Sequence, residues 1–197
     1  MPLTKIIEVS QTIFIAVWKI AETEEFFFNS LQLLSEDELK IKSIKLQKIR
    51  LQKLACRAAL AKLLNTKQIA ITYSKTGQPQ LSEHYISFSH TKNYVAVALA
   101  NIPIGIDIEE ITPRILPLYT RFMSKQEIAG CDISNLKNFY YYWCAKEAMY
   151  KWFTKKNLDF IKDLFVDKKN NKGVINNNNT VQLFDFYFEN HIIVFCI

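Results

Sequence analysis

Runs of apolar, β-branched residues alternate along the chain with segments in which apolar residues recur at helical spacing. The run 13–20 (IFIAVWKI) is apolar at almost every position, which is typical of a strand buried on both faces. From residue 35 to 64, apolar residues recur every three or four positions, as in a helix. Ser35 and Glu38, at the start of this segment, have the spacing of a capping box. Because about thirty residues is long for one helix, we predict two helices or a kink, the second over about 47–64.

The rest of the chain predicts shorter strands, turns and two more helices. We predict strands over 69–73, 85–88, 94–100, 104–108, 160–166, 180–189 and 191–196, and helices over 124–130 and 138–153. The segment 75–80 (KTGQPQ) and the asparagine-rich stretch 170–179 predict turns or loops, since Gly and Asn tolerate positive φ. The order of elements favours α+β architecture with two similar halves, residues 1–102 and 103–197.

Composition narrows the class of protein. A chain of 197 residues that is 49% apolar can bury a sizeable core, and its 4 Gly and 5 Pro leave no long flexible linker. We find no apolar run long enough to cross a membrane and no secretory signal in the first ten residues. The 4 cysteines have neither metal-ligand spacing nor the density of a disulfide scaffold. We therefore expect a cytoplasmic protein that does not associate with membranes.

Charge is distributed unevenly along the chain. Residues 39–82 contain ten basic residues and no acidic one, so the remaining 15 basic and 19 acidic residues leave the rest of the chain at −4. Such a cationic segment suits a polyanion: nucleic acid, an acidic protein or a phosphorylated cofactor. Charge alone equally fits a helix face in contact with water.

The segment 103–111 (PIGIDIEEI) contains the first candidate for metal chemistry. In a strand, Ile104, Ile106 and Ile108 would face one way, and Gly105, Asp107 and Glu109 the other. Two carboxylates at this spacing repel unless a cation lies between them, and oxygen ligands are those that Mg²⁺ prefers. Gly105 would leave room for a ligand to approach the backbone. A strand end whose acids merely face water remains the alternative.

A third carboxylate lies in the helical segment 139–153 (FYYYWCAKEAMYKWF). The segment is aromatic or apolar nearly all round, which indicates burial, yet it contains Lys146, Glu147 and Lys151. Glu147 and Lys151 are four positions apart, so an exposed helical ion pair is one interpretation. The other is that a metal shared with Asp107 and Glu109 neutralises Glu147, with Lys151 reaching the phosphate oxygens.

Ser89 and His90 lie where a predicted strand ends and a turn begins, a position from which side chains and backbone N–H groups can meet an anion. A hydrolase triad is excluded because no Gly-rich nucleophile turn surrounds Ser89, and His84 and His191 have no recognisable relation to it.

Three motifs together resemble the Sfp-type 4′-phosphopantetheinyl transferases. They are FSH at 88–90, IGIDIE at 104–109 and WCAKEAMYK at 143–151, and they occur in the order that this family shows. Looser similarities occur near residues 35, 57, 77 and 122–127, so the resemblance extends over most of the chain. One departure is Gln78, which stands where the family usually has lysine; it can donate a hydrogen bond but carries no charge, and Lys75 is a nearby substitute.

The resemblance implies a pseudo-two-fold monomer of two α+β halves with coenzyme A in the cleft between them. It implies Mg²⁺ held by Asp107, Glu109 and Glu147, with Lys151 on the same phosphates. Ser89 and His90 would face the 3′-phosphate of coenzyme A. Further coenzyme A contacts are expected from the basic segment and the turn that follows it, with candidates Arg50, Arg57, Lys75 and Gln78.

The implied reaction transfers the 4′-phosphopantetheine arm of coenzyme A to a serine of an apo acyl or peptidyl carrier protein. Glu147 is the candidate base, directly or through a metal-bound water, and Glu127 is a further candidate for orienting the acceptor. Two alternatives remain: a catalytically inactive module that binds coenzyme A or a carrier protein, and a nucleic-acid-binding protein that uses the basic segment. Clustered acids oppose the second alternative, so we expect no nucleic-acid partner.

Overall fold

The structure, a computed structural model, describes residues 3–75, 77–154 and 157–197. Thr76, inside the predicted turn 75–80, lies outside the described residues. The chain divides into two compact units, Met1–Pro103 and Ile104–Ile197, and each contains helices and antiparallel strands. The predicted α+β content is confirmed. In the described part of the chain, every helix is too short or too polar to cross a membrane.

Unit 1 contains a four-stranded antiparallel sheet with strand order β1-β2-β8-β7. Helix α3 packs on β2 and β8, and the apolar side chains between helix and sheet form the core of this unit. The elements in chain order are β1 (Leu3–Ser10), β2 (Ile13–Lys19), α1 (Glu24–Ser30), β3 (Gln32–Leu33), α2 (Ser35–Lys42), α3 (Gln47–Leu63), β4 (Gln68–Ile69), β5 (Thr72–Tyr73), β6 (Pro79–Gln80), β7 (Tyr85–His90) and β8 (Tyr94–Ala100).

Unit 2 contains a five-stranded antiparallel sheet with strand order β10-β11-β12-β13-β9. Helix α5 packs across β9 and β13, and its buried aromatic residues form much of the core. The elements are β9 (Gly105–Glu110), two 3₁₀ turns (Pro113–Ile115 and Tyr119–Arg121), α4 (Lys125–Ala129), α5 (Leu136–Phe153), β10 (Leu164–Asp167), β11 (Lys172–Ile175), β12 (Asn179–Phe188) and β13 (His191–Cys196).

Several predicted elements differ from the observed ones. Strand β1 was not predicted because it is an edge strand whose residues are all exposed or only partly buried, and α1 because its seven residues carry too short a pattern. The predicted strand 69–73 is interrupted, residues 160–163 form a turn instead of strand, and β11 replaces part of the predicted loop 170–179. The turns on either side of β11 do use asparagines with positive φ, at Asn171, Asn176 and Asn177.

Candidate functional site

Strand β9 and helix α5 pack so closely that there is no room for a side chain at Gly105. A Cβ atom on Gly105 would lie 1.9 Å from the carbonyl oxygen of Ala148 and 2.9 Å from the backbone nitrogen of Trp152. The prediction that Gly105 makes room for a ligand is therefore wrong, because the backbone of α5 occupies that space. The glycine allows one face of β9 to lie directly against α5.

Lys151 links helix α5 to strand β9 next to Gly105. Its Nζ donates hydrogen bonds to Asp107 Oδ1 at 2.7 Å and to the carbonyl oxygen of Ile106 at 2.9 Å. Asp107 is buried, with 4% of its surface exposed, while the side chain of Lys151 retains 28% exposure. The lysine thus combines a buried ion pair with access to solvent.

Glu109 is held from two sides by residues that the sequence analysis did not select. Trp143 Nε1 donates to Glu109 Oε1 at 3.1 Å, and Arg114 Nη2 donates to Glu109 Oε2 at 3.3 Å. Trp143 precedes Glu147 by four residues, so helical spacing had already placed both on one face of α5. Arg114 follows β9 in the connection to α4, and nothing in its sequence surroundings indicates this contact.

Glu147 lies among like charges in a half-buried position on α5. Burial, followed by repulsion from Asp107, raises its pKa to about 7, and Glu109 contributes in the same direction while Lys151 opposes it. Burial and the Asp107 charge also raise the pKa of Glu109. The structure therefore brings Asp107, Glu109, Glu147 and Lys151 into one electrostatically coupled group.

These residues suit a hard divalent cation by their chemistry. All three acids offer oxygen ligands, and a cation between them would relieve the repulsion that raises the pKa values of Glu109 and Glu147. In the conformation described, no three His, Cys, Asp or Glu side chains among residues 3–75, 77–154 and 157–197 already converge as a metal cage.

A pocket of about 760 Å³ opens beside this acidic group within unit 2. Glu109 and Glu147 form part of its wall, and Phe122, Trp143 and Phe160 supply aromatic surface. Two arginines, one further acid and four apolar or aromatic residues complete the lining: Arg114, Arg121, Asp159, Ile115, Leu118, Tyr140 and Ile161. The pocket is therefore lined by charged residues of both signs together with aromatic and aliphatic side chains.

Glu127 does not face this pocket. Both of its carboxylate oxygens accept hydrogen bonds inside unit 2, from Lys146 Nζ at 2.8 Å and from the backbone nitrogens of Ser124 and Val166. Its side chain has 0% exposure. Glu127, the further candidate for orienting the acceptor, is therefore buried away from any surface at which it could contact one.

In unit 1, Ser89 and His90 are the last two residues of β7. Ser89 is buried at 7% exposure and pairs with Ala96 across the sheet, while His90 is exposed. Gln78 belongs to the tight turn between β5 and β6, in which Gly77 has a φ of +86° and Ser74 Oγ accepts from the Gln78 nitrogen. Lys75 lies exposed in the same turn.

The two arginines predicted to contact coenzyme A are engaged within unit 1. Arg57 is 1% exposed, forms a bidentate ion pair with Asp37 at 2.5 and 2.6 Å, and donates to the Tyr73 hydroxyl at 2.7 Å. Arg50 pairs with Glu24 at 2.8 and 2.9 Å and is half-buried. Because the Arg57 charge is buried and paired, we assign Arg57 a structural role and do not propose it as a ligand.

The basic segment is partly neutralised in the same way. Four of its ten cations form ion pairs with acids that precede it in the chain: Lys40 with Glu36, Lys42 with Glu38, Arg50 with Glu24, and Arg57 with Asp37. The six that remain, all exposed, are Lys45, Lys48, Lys53, Lys62, Lys67 and Lys75. The cationic surface is thus smaller than the charge count along the sequence indicates.

Comparison with known proteins shows similarity to one superfamily. Residues 103–196 match the model of the 4′-phosphopantetheinyl transferase superfamily. The chain is 35% identical over 83 residues to the 4′-phosphopantetheinyl transferase Sfp of Bacillus subtilis strain 168, over 40% of this chain and 37% of that protein. It is 27% identical over 133 residues to the 4′-phosphopantetheinyl transferase gsp of Aneurinibacillus migulanus, over 64% of this chain and 56% of the relative.

A third relative is the 4′-phosphopantetheinyl transferase psf-1 of Bacillus pumilus, 31% identical over 104 residues, or 49% of this chain and 44% of that protein. The matched regions thus cover between 37% and 56% of these three relatives. The superfamily match contains β9, α5 and the whole coupled group of Asp107, Glu109, Glu147 and Lys151. Residues 103–196 thus match the 4′-phosphopantetheinyl transferase superfamily, and the chain is similar to the 4′-phosphopantetheinyl transferases Sfp and gsp.

Proposed function

We propose that this protein transfers the 4′-phosphopantetheine arm of coenzyme A to a serine of an apo acyl or peptidyl carrier protein. In this reaction, a bond forms between the serine Oγ and the β-phosphorus of coenzyme A. The bond from that phosphorus to the bridging oxygen breaks, and adenosine 3′,5′-bisphosphate leaves with the electron pair. The serine proton must pass to a base.

The observation that carries the proposal is the packing of β9 against α5. It brings three carboxylates and Lys151 into one coupled group, of which Glu109 and Glu147 line a pocket. A phosphoryl-transfer site needs charge neutralisation and a base close to the reacting phosphorus, and this group contains side chains for both. The names of the relatives agree with this reaction.

We propose that Asp107, Glu109 and Glu147 hold Mg²⁺, which would neutralise charge on the pyrophosphate of coenzyme A when bound. Trp143 and Arg114 orient the Glu109 carboxylate by their hydrogen bonds. Lys151, with its partly exposed ammonium group, interacts with charge that develops on the bridging oxygen. The Glu147 carboxylate also accepts the serine proton.

We propose that the acceptor serine enters through the pocket. Arg114 and Arg121 at its wall suit the acidic surface that carrier proteins typically present around the modified serine. Leu116 and Leu118, at 44% and 40% exposure, provide apolar contact beside them. A protein partner with both acidic and apolar surface would match these side chains.

The reaction is tested by intact-mass spectrometry of several apo carrier proteins incubated with this protein, Mg²⁺ and coenzyme A. We expect one carrier class to gain the mass of a single phosphopantetheine group, and to gain none when Mg²⁺ is removed by a chelator. Coenzyme A binding without any mass change would instead identify an inactive binding module. Binding to a nucleic acid column that survives about 0.5 M salt would favour the nucleic-acid alternative, since non-specific phosphate contacts weaken steeply with salt.

We also propose that exposed His90, with Ser89 beside it, binds the 3′-phosphate of coenzyme A. Wild type should then bind coenzyme A more tightly than dephospho-coenzyme A, which lacks that phosphate. We expect His90→Ala to bring the two dissociation constants, measured by calorimetry, close together. His84→Ala is the matched control, because His84 directly precedes β7 whereas His90 ends it. An unchanged ratio of the two constants in His90→Ala would remove His90 from the coenzyme A site.

A further inference from the structure

A completely buried ion pair lies behind the pocket of unit 2. Lys146 and Glu127 both have 0% side-chain exposure, and Lys146 Nζ lies 2.8 Å from Glu127 Oε2. Lys146 Nζ also donates to the carbonyl oxygens of Phe122 and Phe160, each at 2.7 Å. The three hydrogens of one ammonium group are therefore used on three different segments of the chain.

Glu127 extends these contacts to two further elements. Its Oε2 accepts from the Ser124 nitrogen at 2.7 Å, which completes the capping box of α4, and its Oε1 accepts from the Val166 nitrogen in β10 at 2.9 Å. The pair thus ties α4, β10 and the loop at Phe160 to helix α5, at the residue that directly precedes Glu147.

Stability alone does not account for this pair. Removing two charges from water is costly, and well-packed apolar side chains of similar volume often stabilise a fold as much or more. Burial lowers the pKa of Lys146, which reflects that cost. Such a pair is better explained by the geometry that it imposes on its hydrogen-bond partners.

The partners of Lys146 form part of the site. Phe122 and Phe160 line the pocket, and both rings contact Trp143, with centroids 5.1 and 5.6 Å from that of Trp143. Trp143 in turn donates to Glu109. A continuous series of contacts therefore runs from the buried ammonium group through two aromatic rings and an indole to one of the three carboxylates.

We propose that Lys146 and Glu127 are positioning residues. They hold Phe122 and Phe160 against Trp143, and they thereby fix the Glu109 carboxylate and the aromatic wall of the pocket. This inference rests on the proposed function in so far as Glu109 takes part in transfer. The placement of Trp143 by the pair is independent of any activity and can be measured separately.

The test uses Lys146→Met/Glu127→Gln, which removes both charges together and leaves no unpaired one buried. Trp143 is made the single tryptophan by Trp18→Phe and Trp152→Phe, and its fluorescence quenching by acrylamide reports its exposure. We expect the quenching constant to rise about twofold and the turnover number to fall about tenfold to 100-fold, the cost of a displacement near 1 Å at a reacting centre. Far-UV circular dichroism confirms that the variant is folded.

Leu183→Ala is the matched control for lost stability. Leu183 is 1% exposed in the core of unit 2, on β12, two strands away from β9. We expect this variant to melt at a lower temperature while its Trp143 quenching and turnover number stay at wild-type values. Wild-type quenching in the folded double variant, or an equal rise in Leu183→Ala, would show that the pair is only structural.

Trp143→Phe keeps the proposal testable if the double variant does not fold. It retains the aromatic packing but lacks the N–H group that donates to Glu109. We therefore expect the same tenfold or greater loss of turnover number, similar to the loss when the hydrogen-bond partner of a metal ligand is removed. Wild-type turnover by Trp143→Phe would overturn the proposed route to Glu109. If wild type modifies no carrier at all, the proposed function fails, and the quenching comparison still decides whether the pair positions Trp143.

Discussion

Glu147→Gln is expected to lose almost all transfer activity without loss of the fold. Glutamine has nearly the shape of glutamate, but it is a poorer metal ligand and cannot accept the serine proton. We expect the turnover number to fall about 100-fold to 1000-fold, the range seen when a group that stabilises charge in the transition state is removed. Mg²⁺ with coenzyme A should raise the melting temperature of wild type and have much less effect on this variant.

Without Mg²⁺, Glu147→Gln should have a free energy of unfolding at least as large as that of wild type. Repulsion by Asp107 contributes to the raised pKa of Glu147, and the substitution removes that repulsion. Glu110→Gln is the matched control: Glu110 is on the same strand as Asp107 and Glu109, but at the alternate position, opposite His191. We expect it to transfer and to respond to Mg²⁺ like wild type. Equal turnover by the two variants would exclude Glu147 from catalysis.

Gly105→Ala is expected to be among the most destabilising single-methyl substitutions in this chain. The added Cβ meets the backbone of α5 at 1.9 Å, and a backbone carbonyl cannot turn away as a flexible side chain does. We expect the free energy of unfolding, measured by denaturant titration, to fall by about 3 kcal/mol, the upper range for overpacking. Folded molecules of this variant should also lose transfer activity. The added methyl group would push β9 away from α5, and this shift would move Asp107 and Glu109 away from Glu147 and Lys151.

Gly130→Ala provides the control for this prediction. Gly130 ends α4 with a negative φ of −91°, and the nearest atom to an added Cβ is a carbonyl oxygen at 3.7 Å, an ordinary van der Waals distance. We expect its free energy of unfolding to change by less than about 0.5 kcal/mol. If Gly105→Ala proved as stable as Gly130→Ala, the close packing of β9 on α5 would be contradicted.

The two elements that carry the acids were predictable because their periodicities are strong. Alternation in 104–109 indicated a strand with its carboxylates on one face, and the long aromatic segment 139–153 indicated a buried helix. Both elements are observed, as β9 and α5. Elements without such patterns, namely β1, α1 and β11, were missed because exposed or very short segments bury too little apolar surface to leave a signal.

The contacts within the candidate site were not predictable from spacing along the chain. Trp143 and Glu109 are 34 residues apart, and Lys151 and Asp107 are 44 apart, so only the antiparallel packing of α5 on β9 brings each pair together. The same holds for Lys146, which the sequence shows only as a charge on an apolar helix. Its partner Glu127 is 19 residues away in another helix.

The sequence by itself determined the α+β class, the types of the main elements and the residues that bring chemistry to the chain, because these depend on local periodicity and on side-chain type. Only the tertiary structure decided what those residues do to one another. It showed that the missing side chain of Gly105 allows helix α5 to pack directly on β9. It also showed that Arg57 and Glu127 form buried ion pairs, and that four cations of the basic segment are paired with acids. The physical reason is that Coulomb and packing energies depend on distances of a few ångströms in space, which separation along the chain does not specify.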